Sequence, residues 1–221
     1  MRLTCRAVAG GIRFDTVSID TATESLLSIL RQNAVLWQAL ERISRLELPD
    51  WYLGAGCIAQ TVWNHACGND LNAGIMDYDL VYFSEDLSAA AEKSRSARVC
   101  LELADLNITM DVKNQARVHT WYARRFGHDI LPYTSTPDAI STWPTTATAV
   151  GVRIGATGVS VCAPYGVADL MSCVVRPNRV QITPEIYSAK VERWSRQWPI
   201  LNVLSWEDGV GRTASRWARS V

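Results

Sequence analysis

Two aspartates set two residues apart in an otherwise apolar run, Gly74-Ile75-Met76-Asp77-Tyr78-Asp79-Leu80-Val81-Tyr82-Phe83, constrain this chain more than any other stretch. With Ile, Met, Leu, Val, Tyr and Phe dominant, the run predicts a β-strand over 74–83. Side chains alternate along a strand, so Asp77 and Asp79 project from one face, about 6–7 Å apart in rise, with Tyr78 and Leu80 on the other. Aspartate is a poor strand former. Two carboxylates at roughly 6.5 Å repel by about 2.5 kcal/mol at an effective dielectric near 20. That is a sizeable cost beside a domain's net stability of about 5–15 kcal/mol. A divalent cation between them turns repulsion into binding. An oxygen-only site suits Mg²⁺, which keeps several waters and takes further ligands from substrate phosphates. An isolated Asp-x-Asp more often marks the solvated face of an edge strand, so the neighbouring elements have to decide.

Upstream, Trp51-Tyr52-Leu53 reads as a short strand, Gly54-Ala55-Gly56 as a turn, and Cys57 to Asn64 as a helix. Strand, glycine turn and helix together present backbone N–H groups and a positive helix end to an anion. Glycine at 54 and 56 lets phosphate oxygens approach the backbone. Downstream, Leu87 to about Leu106 predicts an amphipathic helix and 107–112 a second apolar strand carrying Asp111, a third carboxylate. Polar and cationic residues follow at once. Lys113, Arg117 and, further on, Arg153 are candidates for neutralising phosphate charge. His119, Thr146 and Thr148 are candidates for base, ribose or acceptor contacts, His119 also as a general base. For each of these taken singly, a solvated face or an internally satisfied side chain is an equal reading.

The remaining elements frame that centre. A helix from Asp20 or Thr21 buries Leu26, Leu27 and Leu30, and a second, capped by Asn33, runs to about Leu46 and buries Leu36, Leu40 and Ile43. Residues 127–146, rich in Pro, Thr and Ser, predict a loop with a short helix around Asp138 to Ser141. A hairpin follows over 148–162, then a helix from Tyr165 to Val175 and a clearer one from Pro184 to Gln197. The expected organisation is an arm over 1–20, a core over 21–126, a smaller C-terminal hairpin and helix lobe over 127–206, and a flexible tail over 207–221.

Composition limits the partners. The 22 basic and 22 acidic residues among 221 cancel, so there is no charge footprint for sequence-independent nucleic-acid binding, and nucleic acid is not expected as a partner. No run of 18 apolar residues suggests a membrane span, and the N-terminus shows no secretion signal. Six cysteines without CxxC or zinc spacing read as small buried hydrophobes in a reducing compartment, by expectation the cytoplasm. Nine tryptophans are many for this length; some must line core seams, and a surplus also suits a pocket that stacks a planar base.

Gly54-Ala55-Gly56 before a helix, Asp77 and Asp79 on the next strand and Asp111 on a later one resemble the DNA polymerase β-type nucleotidyltransferase superfamily. The strings WYLGAGCIAQTVWN, DYDLVYF, NQARVHTWYARRFG, WPTTATAVGVR, APYGVADL and VVRPN are similar to a group within it labelled "nucleotidyltransferase family protein". The superfamily's usual turn is glycine followed by serine or glycine, where this chain has Gly54-Ala55. The resemblance spans roughly residues 49–206. It implies an α/β (α+β) fold with a mixed β-sheet flanked by helices, and two metal ions, Mg²⁺ or Mn²⁺, bound by Asp77, Asp79 and Asp111. It also implies transfer of a nucleoside monophosphate from an NTP to the hydroxyl or phosphate of a small-molecule acceptor. A nucleotide- and metal-binding regulatory protein that kept the fold and lost turnover is the alternative.

Overall fold

The computed structural model describes residues 21–211, and the arm expected over 1–20 lies outside them. In chain order the elements are α1 (Thr21–Gln32), α2 (Ala34–Ser44), β1 (Tyr52–Gly54), α3 (Gly56–Cys67), β2 (Tyr78–Tyr82), α4 (Ala89–Glu102), β3 (Met110–Asn114) and α5 (His119–Phe126). They continue with α6 (Thr136–Ile140), β4 (Gly151–Gly155), β5 (Gly158–Cys162), α7 (Ala168–Met171), β6 (Val174–Val175), α8 (Pro184–Gln197) and β7 (Asn202–Val203). Five strands form one sheet in the order β3-β2-β1-β4-β5, and β6 pairs with β7 separately. Only β2 and β3 run parallel in the larger sheet, joined through α4; its other pairs are antiparallel.

Local chemistry accounts for the helix starts. The Asn33 side chain accepts from the Leu36 N–H at 3.1 Å and donates to Thr61 Oγ1 at 2.9 Å, so one buried amide caps α2 and ties it to α3. Ser88 and Thr183 cap α4 and α8 in the same way. Leu26, Leu27, Leu30, Leu36, Leu40 and Ile43 are all buried, as their helical spacing predicts. In α3 every residue from Cys57 to Asn64 is buried, which makes it the central helix of the layer behind the sheet. Its Trp63 ring meets Trp194 and Trp198 of the α8 region, each with centroids 5.4 Å away. Several tryptophans are therefore accounted for by helix packing.

Strand alternation divides the sheet into two faces. Leu53, Leu80, Val112 and Val152 point toward the helices and join the main core. Tyr52 and Val81 point the other way and join a small cluster with Ile140 and Ala149, partly covered by Trp143 and Tyr165. Gly54, Asp79 and Asp111 belong to this second face by alternation and register.

Four expectations need correction. The strand expected over 74–83 is β2 and begins only at Tyr78, so Asp77 lies just outside it, because residues 70–76 form a turn held by side chains. The hairpin of β4 and β5 does not belong to a separate lobe: β4 pairs with β1 and extends the sheet, so the polypeptide after 127 completes the core. Residues 207–211 are tied down, with Arg179 N–H donating to Val210 O at 2.8 Å and Val210 N–H to Pro177 O at 2.9 Å. The predicted helix over 165–175 is shorter, since Val174 and Val175 pair with β7 instead. Among the described cysteines Cys57 and Cys173 are buried, whereas Cys100 is exposed.

Candidate active site

The acidic residues meet at the edge of the open face where β1 ends and β2 and β3 begin. The parallel register sets Asp79 directly beside Asp111, and β1 sets Gly54 beside Asp79 on the other flank. Neighbouring strands lie about 4.8 Å apart, so these positions form one row across three strands. Asp77 approaches from the turn before β2. That turn is fixed by Asn64, whose amide donates to Leu71 O at 3.2 Å and Ala73 O at 2.8 Å, and by the Tyr78 hydroxyl, which donates to Asn72 Oδ1.

Electrostatics tie the three together. Partial burial pushes the Asp79 carboxyl up to about 7, with further upward contributions from Asp77 and then Asp111, opposed by Lys190 and Lys113. Asp111 is held by Lys113, two residues along β3 on the same face, with Nζ to Oδ1 at 2.5 Å. Lys190 of α8 is partly buried, and its ammonium is lowered by desolvation and Arg193 while Asp79 and Asp77 act in the opposite sense. Among the described residues Lys190 has no carboxylate within ion-pair distance. Among those same residues, no three His, Cys, Asp or Glu side chains already stand as a closed metal-ligand set.

The glycine turn borders this row. The Ala55 N–H donates to Val150 O at 3.1 Å, and the first helical bond of α3 runs from Ala59 N–H to Ala55 O. No side chain caps α3, so the N–H groups of Gly56 and Cys57 sit at the positive end of the helix without a capping oxygen. The glycines have packing reasons too. A Cβ on Gly54 would lie 2.7 Å from Val150 O and 2.8 Å from the Trp143 ring; one on Gly56 would lie 2.9 Å from the Gln60 amide. The strained residue of the turn is Ala55, with φ 54° and ψ −122°. The Cys57 thiol, fully buried and near Asp79, is raised well above its usual range by burial, and stays protonated.

Other predicted site residues fall elsewhere. Arg117 lies beyond the far end of β3, ion-paired to Glu92 and donating Nε–H to Leu87 O at 2.7 Å. Three strand residues at about 3.3 Å each carry the chain some 10 Å from Asp111 before Arg117 is reached. His119 opens α5 beyond it, with Nδ1 buried and unbonded. Arg153 is on the open face but paired to Asp50 at 3.3 Å and stacked over Tyr52 at 4.7 Å. Thr146 donates its hydroxyl to Asp169 at 2.6 Å, and Thr148 shares a hydroxyl bond with Thr145 at 2.8 Å; both are buried. Of the predicted cations, Lys113 alone sits with the acidic row. Lys190 went unread because helix periodicity places it on α8 without saying which part of the sheet α8 crosses. α8 meets the turn before β2 through Gln197, beside Gly74, and Arg193, whose Nη1 is 3.9 Å from Met76 Sδ.

A family model described as Nucleotidyltransferase matches residues 41–203. The chain belongs to the nucleotidyltransferase family. The match takes in every described strand of this nucleotidyltransferase, from β1 to β7. A solved chain described by the words "the NMR structure of the protein reveals a CCA-adding enzyme head domain" superposes with a TM-score of 0.67 and 25% identity, covering 82% of this chain and 95% of that one. The mixed sheet flanked by helices that the resemblance implied is therefore the fold. No curated protein matches the chain. No described helix of this nucleotidyltransferase is long and apolar enough to cross a membrane.

Proposed function

We propose that this nucleotidyltransferase moves a nucleoside monophosphate from an NTP to an acceptor hydroxyl or phosphate on the open face of the sheet, with Asp77, Asp79 and Asp111 holding Mg²⁺ or Mn²⁺. The observation that carries the reading is the parallel register that sets Asp79 beside Asp111 next to the uncapped start of α3. The donor set fits a hard divalent cation: three carboxylates and no soft ligand. Burial first, and then the neighbouring Asp77 and Asp111, raise the Asp79 carboxyl despite Lys190 and Lys113, which is the setting in which an added cation would be favoured. Bound there, a divalent cation supplies Lewis-acid stabilisation of the charge that accumulates on the transferring phosphate. The protein's own groups do the rest. Backbone N–H groups of Gly56 and Cys57 donate to the anionic tail of the triphosphate, Lys113 and Lys190 neutralise its remaining charge, and Asp111 takes up the acceptor's proton.

The likeness to a CCA-adding enzyme head domain sets an oligonucleotide end beside small hydroxyl compounds as an acceptor class to test. The experiment is pyrophosphate release with Mg²⁺ and each NTP, run against a panel of hydroxyl metabolites and RNA 3′ ends. Wild type is expected to release pyrophosphate with at least one acceptor. Asp79→Asn and Asp111→Asn are expected to lose more than about 100-fold, beyond the usual cost of an outer-shell metal partner. Undiminished turnover in either folded variant rejects the mechanism. NTP binding by wild type without release across the panel favours the regulatory alternative.

A further inference from the structure

Lys113 is the one predicted cation that lies with the acidic row, and its position there is not that of a group waiting for phosphate. Its ammonium already touches Asp111, Nζ to Oδ1 at 2.5 Å, and the side chains are 40% and 44% exposed. Residues 111 and 113 share a face because a strand alternates, so the contact is written into β3 itself and needs no other element to form. An ion pair this exposed is weak. It is strong enough to occupy one oxygen of Asp111 and weak enough to be exchanged. With Lys113 on its Oδ1, Asp111 already has a partner within the described residues, where no closed ligand set stands.

We infer that Lys113 is an internal counterion that occupies Asp111 until a divalent cation displaces it, and that the released ammonium then turns to the phosphates of the incoming nucleotide. The inference rests on the proposed metal-dependent reading. It assigns Lys113 two successive partners, so its removal has effects of opposite sign. Cation binding in the absence of nucleotide should tighten, because Asp111 no longer has a competitor. Nucleotide binding should weaken, because a phosphate contact is gone.

The probe is Mn²⁺ alone, titrated into the intact chain and followed by the electron paramagnetic resonance signal of free Mn²⁺. Lys113→Gln is expected to tighten Mn²⁺ about two- to fivefold, the range set by loss of an exposed ion pair. Lys113→Arg, which keeps the charge, should bind Mn²⁺ as wild type does. In an Asp111→Asn background, Lys113→Gln should bring no further gain, which separates the pair from a general change of field. Tryptophan-fluorescence titration with the Mg²⁺ complex of an NTP should show weaker binding by Lys113→Gln. Unchanged or weaker Mn²⁺ binding by folded Lys113→Gln overturns the inference and leaves the metal reading standing, as does an equal gain in the Asp111→Asn background. Wild type that binds no Mn²⁺ at millimolar concentration overturns both.

Discussion

Replacing Asp79 by asparagine should make the metal-free protein more stable at alkaline pH while abolishing its chemistry. Burial and two neighbouring carboxylates move Asp79 from its usual 3.8 to about 7. At about 1.4 kcal/mol per pH unit, that displacement corresponds to roughly 4 kcal/mol of destabilisation once the carboxyl is ionised. Because the folded value lies above the unfolded one, the folded state binds the extra proton between about pH 4 and 7. Stability from this group therefore falls as pH rises through that window, and the cost is fully present above it. Allowing for the partial exposure of Asp79, Asp79→Asn should gain about 2–4 kcal/mol over wild type at pH 8 and little at pH 4.5. For a domain of this size each kcal/mol is worth about 2–4 °C in Tm. The assay is thermal melting of both proteins with a chelator at the two pH values. Taking the difference between them cancels the carboxylates held low elsewhere, such as Asp105 beside Arg42. Millimolar Mg²⁺ should then close the gap by stabilising wild type alone. A variant no more stable than wild type at pH 8, or equally stabilised at both pH values, would refute the electrostatic account.

The glycine turn and the far end of the sheet give three more tests. Ala55→Gly should gain about 0.5–1.5 kcal/mol in urea denaturation, because φ 54° with ψ −122° strains any residue bearing a Cβ. Gly54→Ala should cost about 1–3 kcal/mol, since the new methyl meets Val150 O and the Trp143 ring at 2.7 and 2.8 Å; near-ultraviolet circular dichroism should report the displaced indole. Arg117→Ala should cost about 2–4 kcal/mol through the loss of Glu92, yet leave the KM for NTP within about twofold in the folded fraction, as expected for a side chain remote from the acidic row. A large KM effect would return Arg117 to the site.

How much of this was legible depended on the range of the interactions involved. The capping role of Asn33, the buried stripes of α1 and α2, the Pro184 start of α8 and the order of strand, turn and helix around Gly54 are local, and local spacing reveals them. That Asp79 and Asp111 deserved to be read together was also legible, because aspartates in apolar runs conflict with local propensity, and the register sets them side by side. What failed was reading spatial nearness from chain nearness. Arg117 and His119 follow Asp111 closely, but β3 carries them to its other end. Thr146 and Thr148 looked available because nothing local shows that Asp169 and Thr145 take their hydroxyls. Lys190 was invisible for the converse reason, since α8 reaches the acidic row only through packing on Trp63 and the turn at Gly74.

The parallel pairing of β2 with β3, alone of its kind in the larger sheet, also bears on synthesis. When the ribosome has delivered Asn114, the helical crossover can close and the acidic row can exist, yet β1 still shows a bare hydrogen-bonding edge. The strand that will cover that edge begins at Gly151, more than thirty residues later. In that interval the nascent polypeptide offers an open β edge to any neighbour, a known route to misassembly. The stretch rich in Pro, Thr and Ser that fills the interval is short of the apolar β-forming runs that would compete for the vacancy.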